Sequence, residues 1–386
     1  MFAVKNAFNL NSLFCILIYK TKGDVCFMKK MRVALIGQGR SGRNIHGKFF
    51  LSEANTFCEV VCVVEKDALR REKAAKEFGC DTCCCHTELF GRKDIDLVVN
   101  ASYSQDHYAI TKALLNHGFH VLTEKPFGRT YFECMDLCKT AQKNGVIVTA
   151  FHQTLYAPIF LKIKEIIRSG KLGDVFQISL KYSGFARRWD WQTLQACCAG
   201  SVYNSGPHPI GQALDLLGWA DVSVAFSSLK QILTSGDSDD YGKIILYAPD
   251  KKTVVDIEIN CADAYSNDFV FKIYGSKGTL RADNSQYEMR YIADFSAYPV
   301  REVIRESLSD EEGNPAFCQE SLEFTEERGK AEGSSFDAAV CTFYQMLYRA
   351  IITGAALEVT PEMAAKVIAV AESCHAQNPL PVKFEA

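Results

Sequence analysis

The sequence lacks a surplus of charge of either sign: 43 Lys and Arg residues stand against 46 Asp and Glu residues, for a net charge of −3 over 386 residues. A charge this close to zero gives no basic patch for nucleic acid or an anionic membrane. Proline is scarce, with 10 residues, which argues against a low-complexity, disordered chain. The longest apolar run near either end, Leu13 to Tyr19, is far shorter than the roughly 20 residues of a membrane-spanning helix. We expect a soluble protein of about two domains.

Cysteine is abundant, with 16 residues, but no second C-x-x-C follows Cys80-x-x-Cys83 at a spacing typical of zinc ligands. Many of the cysteines are adjacent, as in Cys83-Cys84-Cys85, and adjacent cysteines make a poor disulfide framework. We interpret most of them as buried apolar thiols in a reducing cytoplasm, place Cys80 to Cys85 at a short strand, and expect no metal. Zinc bound by this cluster and His86 is the alternative.

Residues 1–30 carry neither a cleavable signal pattern nor a spanning helix. Met28-Lys29-Lys30-Met31 stands directly before a strong strand. We interpret the segment as an upstream extension produced by a misassigned start, with a real N-terminal arm as the alternative.

Residues 31–150 alternate short β-branched runs with helical stretches. Strands that are apolar on both faces and separated by helices indicate a parallel sheet covered on both sides, as in a doubly wound nucleotide-binding domain. The runs are Arg32 to Ile36, Val60 to Val64, Leu97 to Val99, His120 to Leu122 and Val146 to Val148.

Residues 151–386 show a different pattern. After a helix that ends at Ser169-Gly170, alternation at 176–182, 254–259 and 269–274 predicts half-buried strands. We therefore expect a second α/β domain with an open, mostly antiparallel sheet for substrate binding and oligomerisation. Thr360-Pro361 begins a predicted terminal helix over 360–375, which we expect to pack on the first domain.

A glycine-rich pattern, G-x-G-x-x-G, follows the first strand and opens a helix. Glu65 ends the next strand, 23 residues after the last glycine, near the spacing expected of a dinucleotide fingerprint. Its carboxylate suits ribose hydroxyls and would repel a 2′-phosphate, which favours NAD over NADP, although Lys66 is adjacent. The cofactor candidates in the turn are Gly37, Gln38, Gly39, Arg40, Ser41 and Gly42.

Glu124-Lys125-Pro126 follows the strand that ends at Leu122, at the sheet edge where ligands bind in open parallel sheets. Lys125 can hydrogen-bond a substrate hydroxyl and stabilise an alkoxide beside the nicotinamide. The proline after it fixes the backbone there, in a trans or a cis peptide. Ala101 and Ser102, after the strand that ends at Val99, complete the cofactor candidates.

Aromatic and charged side chains alternate in Arg187-Arg188-Trp189-Asp190-Trp191. Tryptophan faces pack on sugar C–H surfaces, while Arg188 and Asp190 suit vicinal hydroxyls, so we take 188–191 as substrate candidates; a surface loop or an oligomer contact is the alternative. His152 and Tyr156 follow the sixth predicted strand, from where they also reach toward substrate.

These residues resemble the glucose–fructose oxidoreductase/inositol dehydrogenase (Gfo/Idh/MocA) family over residues 31–386. The matching segments are Gly37 to Gly42, Glu65, Glu124 to Pro126, Ile163 to Val175, Tyr274 to Leu280, and Ile352 to Glu372, which is similar to the terminal helix of the family. The resemblance implies a Rossmann domain, a second domain whose outer sheet face forms a homodimer or homotetramer, and oxidation of a sugar or cyclitol alcohol.

The family carries its chemistry on the Lys of Glu-Lys-Pro and on a later Asp-x-x-x-His pair. Here Asn204 stands in place of the Asp, His208 is retained, and Gly211 stands where a further Asp is frequent. His208 is a reasonable general base, because an unperturbed imidazole titrates near pH 6.5, and we expect Asn204 to orient its ring.

The sequence therefore predicts an NAD-dependent cytoplasmic oxidoreductase that interconverts a secondary alcohol and a ketone on a sugar, glycoside or cyclitol. Its catalytic candidates are Lys125, His208 and Asn204. A glycosidase that oxidises its sugar transiently, and a sugar or NAD sensor without turnover, are the alternatives.

Overall fold

A computed structural model describes residues 29–265, 269–333 and 335–385. The interpretation of residues 1–30 as an upstream extension lies outside the described residues except at Lys29 and Lys30. No helix in these ranges is long and apolar enough to cross a membrane.

The first sheet has six parallel strands, which confirms the predicted doubly wound fold. They are β1 (Met31–Ile36), β2 (Cys58–Val64), β3 (Asp81–Cys83), β4 (Leu97–Asn100), β5 (Val121–Thr123) and β6 (Val148–Ala150). The strand order β3-β2-β1-β4-β5-β6 reverses direction between β1 and β4, and such a reversal is where a dinucleotide binds.

Helices cover this sheet: α1 (Lys48–Phe50, preceded by a π-helical turn at Gly42–Gly47), α2 (Ala68–Phe78), α3 (His107–Asn116) and α4 (Tyr131–Asn144). Helix α5 (Pro158–Arg168) follows β6, and its Phe160 ring packs near Phe271 of the second sheet. Local sequence sets their ends. Asp67 and Thr130 accept backbone N–H bonds at the starts of α2 and α4, and Gly79 and Gly145 end these helices in the left-handed conformation.

Strand β6 begins two residues later than the run Val146 to Val148 predicts. The N–H of Val146 turns back to the carbonyl of Ala141 and closes the end of α4, while the N–H of Ile147 donates to His120 Nδ1. Both residues are partly buried although they precede the strand, so hydrophobicity alone does not reveal the boundary.

The second sheet has eight strands and is antiparallel except between β7 and β10, as expected for an open, mostly antiparallel sheet. Its strands are β7 (Val175–Ser183), β8 (Ser223–Lys230), β9 (Tyr241–Ala248), β10 (Thr253–Asn260), β11 (Phe271–Gly275), β12 (Gly278–Ala282), β13 (Gln286–Tyr291) and, beyond the small hairpin of β14 (Leu308–Ser309) and β15 (Pro315–Ala316), β16 (Thr325–Lys330).

The remaining helices are α6 (Ser201–Asn204), α7 (Pro207–Leu216), α8 (Ser335–Thr353) and α9 (Pro361–Gln377). The segment Ile352 to Glu372 therefore contains the end of α8, a connection and most of α9 rather than a single terminal helix. Gly354 is left-handed and Pro361 starts a new helix, which separates the two. Helix α9 packs against α4 and β6, and Thr149 Oγ1 donates to the carbonyl of Val359.

Close backbone approach fixes the turn between β1 and α1. Gly37 has φ +88°, and its N–H donates to the carbonyl of Val64 at the end of β2. A Cβ on Gly42 would collide with the carbonyl oxygen of Gly37, which is backbone and cannot rotate away. A Cβ on Gly39, in contrast, would meet nothing within 4 Å.

Gly42 and Gly39 give a matched test of the turn. We expect Gly42→Ala to lower the free energy of unfolding by about 1 to 3 kcal/mol, the usual cost of forcing atoms into a packed site. Gly39→Ala is the control and should leave the free energy of unfolding unchanged in denaturant titrations. Equal effects of the two substitutions would contradict this account of the turn.

Candidate active site

A cavity of about 670 Å³ lies at the carboxyl edge of the first sheet. It is lined by the ends of β1 and β2, by the segments after β4 and β5, and by residues of α6, α7 and α8. Its volume is in the range of ligand and cofactor sites.

Most of the candidate residues from the sequence line this one cavity. Gln38, Gly42 and Pro126 are packed behind the lining, so they shape the site without facing it. The lining members are Gly37, Gly39, Arg40, Ser41, Glu65, Lys66, Ala101, Ser102, Glu124, Lys125, Arg188, Asp190, Trp191, Asn204 and His208.

Glu65 is held against the glycine turn. One carboxylate oxygen accepts the backbone N–H of Gln38 at 2.7 Å, and the other accepts the N–H of Asp67 at 3.0 Å. These bonds fix an anionic group at the cavity wall where β2 ends. Lys66 and Arg70 line the cavity beside it.

The amine of Lys125 is fixed by a residue of the second domain. Its Nζ donates to the backbone oxygen and to Oδ1 of Asn204, both at 2.9 Å. The Lys125–Pro126 peptide is cis. The structure therefore places Asn204 against Lys125, whereas we expected it to orient His208.

Asn204 and His208 are four residues apart and both line the cavity, but they belong to different helices. Asn204 ends α6, and His208 lies in the first turn of α7 after a break at Ser205 and Gly206. The nitrogen Nδ1 of His208 is 3.4 Å from Thr154 Oγ1.

His208 differs from an ordinary imidazole in its ionisation. Burial, together with the charge of Lys125 and the neighbouring His152, lowers the pKa of His208 to about 3. The ring is therefore neutral near pH 7, in contrast to the titration near pH 6.5 on which its choice as a base depended.

Burial and the neighbouring charges act on the pKa of Lys125 in opposite directions. Burial lowers the pKa of Lys125, the carboxylate of Glu124 raises it, and the guanidinium groups of Arg40 and Arg188 lower it further; the net shift is downward. For Glu124, burial alone would raise the pKa, but the hydrogen bond from His46 and the charge of Lys125 bring it down to about 2. A buried carboxylate thus stays ionised beside an amine that releases its proton more readily than usual.

Polar groups and the ring of Trp191 line the cavity on the second-domain side. Arg188 pairs with both carboxylate oxygens of Asp190, at 2.9 and 2.8 Å, and donates to Gln192 at 2.6 Å. The ring of Trp191 meets that of Tyr103 edge to face, with centroids 4.9 Å apart. Trp189, in contrast, is 77% exposed and does not line the cavity.

His152 and Tyr156 lie outside the lining. Tyr156 Oη donates to Glu358 at 2.9 Å and its ring packs on Phe343, so it faces α8 rather than the cavity. His152 is buried behind His208, and its Nδ1 has no hydrogen-bond partner within the described residues. Gln153, the next residue, reaches the cavity instead.

Cys84 and Cys85 follow β3 and line the cavity, so they are not the core thiols we expected. The neighbouring Sγ atoms of Cys62 and Cys83 lie 3.6 Å apart. In the described ranges, no group of three or more His, Cys, Asp or Glu side chains could hold a metal ion. The strand order could have predicted that Cys84 and Cys85 line the cavity, because β3 ends next to β2 at the same edge of the sheet.

Buried polar bonds support α6 from behind. Asp239 accepts the N–H of Ser201 through its backbone oxygen and that of Val202 through Oδ2, both at 2.8 Å. Its Oδ1 is 3.0 Å from His375 Nε2. Asp239 and His375 therefore hold the short helix that presents Asn204 to Lys125.

A doubly wound parallel sheet, a glycine turn at its reversal point and an acidic residue at the end of β2 together define the class of dinucleotide-binding oxidoreductase domains. Comparison with family models agrees. Residues 31–152 match the oxidoreductase family with an NAD-binding Rossmann fold, and residues 160–281 match the GFO/IDH/MocA C-terminal domain. The chain belongs to the GFO/IDH/MocA family, as the resemblance predicted.

Curated relatives include an uncharacterized oxidoreductase of Schizosaccharomyces pombe, 30% identical over 260 residues, or 66% of this chain and 70% of that protein. The scyllo-inositol 2-dehydrogenase (NADP(+)) IolW of Bacillus subtilis is 26% identical over 358 residues, or 89% of this chain and 92% of that enzyme. Among solved structures, a levoglucosan dehydrogenase in complex with NADH and levoglucosan superposes with a TM-score of 0.73 at 17% identity, covering 91% of this chain and 98% of that one. This last likeness shows a shared fold.

The support of α6 predicts a pH-dependent stability. Burial alone would lower the pKa of His375, but the hydrogen bond and charge of Asp239 raise it above the ordinary value. The pair therefore stabilises the fold fully below the ordinary histidine pKa of about 6.5, and the effect is lost as pH rises through the raised pKa.

We expect His375→Gln to lower the free energy of unfolding by about 1 to 2 kcal/mol at low pH and by less at alkaline pH. Denaturant titrations at several pH values measure the difference. Asp239→Asn should remove the same pH dependence, and a difference between His375→Gln and the wild-type protein that does not vary with pH would contradict the pairing.

Proposed function

We propose that this protein is an NAD-dependent oxidoreductase that interconverts a secondary alcohol and a ketone on a sugar, glycoside or cyclitol. One observation carries the proposal: the Lys125 amine, held by Asn204, opens into the same cavity as the glycine turn and Glu65. The named activities of the scyllo-inositol dehydrogenase and the levoglucosan dehydrogenase support this substrate class.

The residues at the sheet edge fit a dinucleotide. The backbone at Gly39 is open on the side where a Cβ would stand, so a pyrophosphate can approach it closely. Glu65 offers a fixed carboxylate for ribose hydroxyls. When bound, the nicotinamide supplies the hydride acceptor for alcohol oxidation and the hydride donor for ketone reduction.

Lys125 is the proposed proton acceptor. Its lowered pKa makes the neutral amine accessible nearer to pH 7, where a free lysine is almost fully protonated. In alcohol oxidation the amine takes the hydroxyl proton; in ketone reduction the ammonium returns it. Asn204 holds the Nζ in place and, being uncharged, does not raise its pKa as a carboxylate would.

His208 has a different proposed task from the one expected of it. Because the ring is neutral, it can hydrogen-bond a substrate hydroxyl without becoming an imidazolium. Arg188, Asp190 and Gln192 then offer donors and acceptors for neighbouring hydroxyls, and the ring of Trp191 offers an apolar face for C–H groups.

The proposed reaction can be measured directly. We expect a panel of polyols, sugars, glycosides and cyclitols to contain a compound whose oxidation produces reduced nicotinamide, measured by absorbance, and a ketone lighter by two hydrogens, measured by mass. Lys125→Met should reduce kcat at least about a hundredfold, the lower end of the contribution of acid–base catalysis. Lys139→Met, at an exposed position on α4, is the matched control and should keep full turnover.

Two outcomes would overturn this proposal. A cleaved glycoside with no net reduced nicotinamide would indicate a glycosidase with transient redox chemistry. Tight ligand binding without turnover or isotope exchange at the carbinol carbon would indicate a sensor.

The choice between NAD and NADP tests the proposed role of Glu65. The Glu65 carboxylate repels a 2′-phosphate, so NAD should give the higher kcat/KM. Glu65→Ser should raise the NADP-to-NAD ratio of kcat/KM at least about tenfold, equivalent to about 1.4 kcal/mol, because Lys66 and Arg70 remain. Glu59→Ser, on the exposed face of the same strand, is the control and should leave the ratio unchanged. A wild-type preference for NADP would contradict the assignment.

A further inference from the structure

A chain of three buried polar side chains runs behind the cavity. Tyr344 Oη lies 2.7 Å from His46 Nδ1, and His46 Nε2 lies 3.2 Å from Glu124 Oε1. Tyr344 and His46 are fully buried, and Glu124 is 3% exposed. We call these residues the buried relay. The function proposed above gives no task to Tyr344 or His46.

The buried relay supplies a hydrogen-bond donor to the buried carboxylate of Glu124. An ionised carboxylate inside a protein is costly unless donors surround it. Glu124 Oε2 accepts the backbone N–H of Lys125 at 3.1 Å, and its other oxygen faces His46 Nε2. His46 Nε2 donates to Glu124 whether the ring is neutral or cationic, because Tyr344 Oη can donate to Nδ1 in the first case and accept from it in the second.

Aromatic packing fixes both rings. The Tyr344 ring stacks on Phe49 with centroids 4.7 Å apart and planes 5° apart. The His46 ring packs on Phe151 at 4.5 Å. Rings held in this way cannot turn to alternative partners, so removing one hydroxyl leaves an unsatisfied nitrogen rather than a rearranged network.

The relay joins distant parts of the chain. His46 belongs to the π-helical turn after the glycine turn, Glu124 follows β5, and Tyr344 lies in α8, whose residue Phe336 lines the cavity. A helix near the end of the sequence is thus linked through His46 to Glu124, the residue that precedes Lys125.

Other charged and titratable groups face the same two positions. Glu124 is within electrostatic reach of Lys125, Tyr344 and the histidines His46, His107, His152 and His208. Lys125 is within reach of Glu124, Arg40, Arg188, His107, His152 and His208. The two arginines, and any of these histidines that is protonated, oppose protonation of the Lys125 amine. Glu124 is the anion in this set, so its ionisation decides how strongly the Lys125 ammonium is favoured.

We propose that His46 and Tyr344 are positioning residues that keep the Glu124 carboxylate ionised and oriented, so that α8 controls the charge state of the Lys125 amine. The consequence for turnover rests on the function proposed above, but the effect on Lys125 itself can be measured without substrate. Loss of the His46 donor leaves a buried carboxylate that takes up a proton, and the Lys125 ammonium then loses its nearest anion.

The test follows Lys125 directly. Reductive methylation with ¹³C-formaldehyde labels the lysines of the full-length protein, and the signal missing from Lys125→Arg identifies Lys125 in its NMR spectrum. We expect His46→Leu and Glu124→Gln each to lower the Lys125 titration midpoint by about one pH unit, with a smaller decrease in Tyr344→Phe. His46→Gln, which keeps a donor near the position of Nε2, should return the midpoint most of the way to the wild-type value.

The control is Tyr348→Phe, four residues further along α8, where the hydroxyl donates to the carbonyl of Lys29 away from the site. Its midpoint should equal that of the wild-type protein. In the double variant His46→Leu/Glu124→Gln the shift should be no larger than in either single variant, because both act through one carboxylate.

Two results would overturn the proposal: a shift in Glu124→Gln with none in His46→Leu and Tyr344→Phe, or no shift in any variant. If His46→Leu does not fold, Tyr344→Phe and Glu124→Gln still decide the question.

Once a substrate is known, the acid limb of the kcat/KM profile for oxidation should move to lower pH by the same amount, because the free amine persists to lower pH. A shifted midpoint with full turnover in Lys125→Met would refute the catalytic role of Lys125 while leaving the relay intact.

Discussion

The amine of Lys125 crosses from the first sheet to α6 and donates to both oxygens of Asn204, and the rest of the site is organised around this contact. It brings together a residue that follows a parallel strand and one that ends a four-residue helix. Each side of the contact has its own support: Asp239 and His375 hold the helix, and the buried relay holds the residue before Lys125.

The sequence predicted the parts of the site that depend on local rules. A glycine turn after a strand, an acid at the end of the next strand and Lys125 after β5 all follow from strand order, because parallel strands present their carboxyl ends at one edge. The same rule would have placed Cys84 and Cys85 at the cavity, had it been applied to β3.

The remaining residues depend on contacts that no spacing encodes. Asn204 and His208 are four residues apart, yet the break between α6 and α7 leaves Asn204 against Lys125. Tyr156 turns to Glu358, which lies 202 positions later, and Trp189 points outward although Trp191 beside it lines the cavity. The ionisation of His208 was missed for a similar reason, since its pKa depends on burial by neighbours from other elements.

The contact between His46 and Tyr344 also bears on biosynthesis. The two residues are 298 positions apart, so the amino-terminal sheet leaves the ribosome long before α8 exists. Until then His46 Nδ1 has no tyrosine hydroxyl beside it, and Thr149 lacks the carbonyl of Val359. A nascent nucleotide-binding domain therefore lacks two of its interior hydrogen bonds until the last part of the chain, from α8 to the start of α9, has been synthesised.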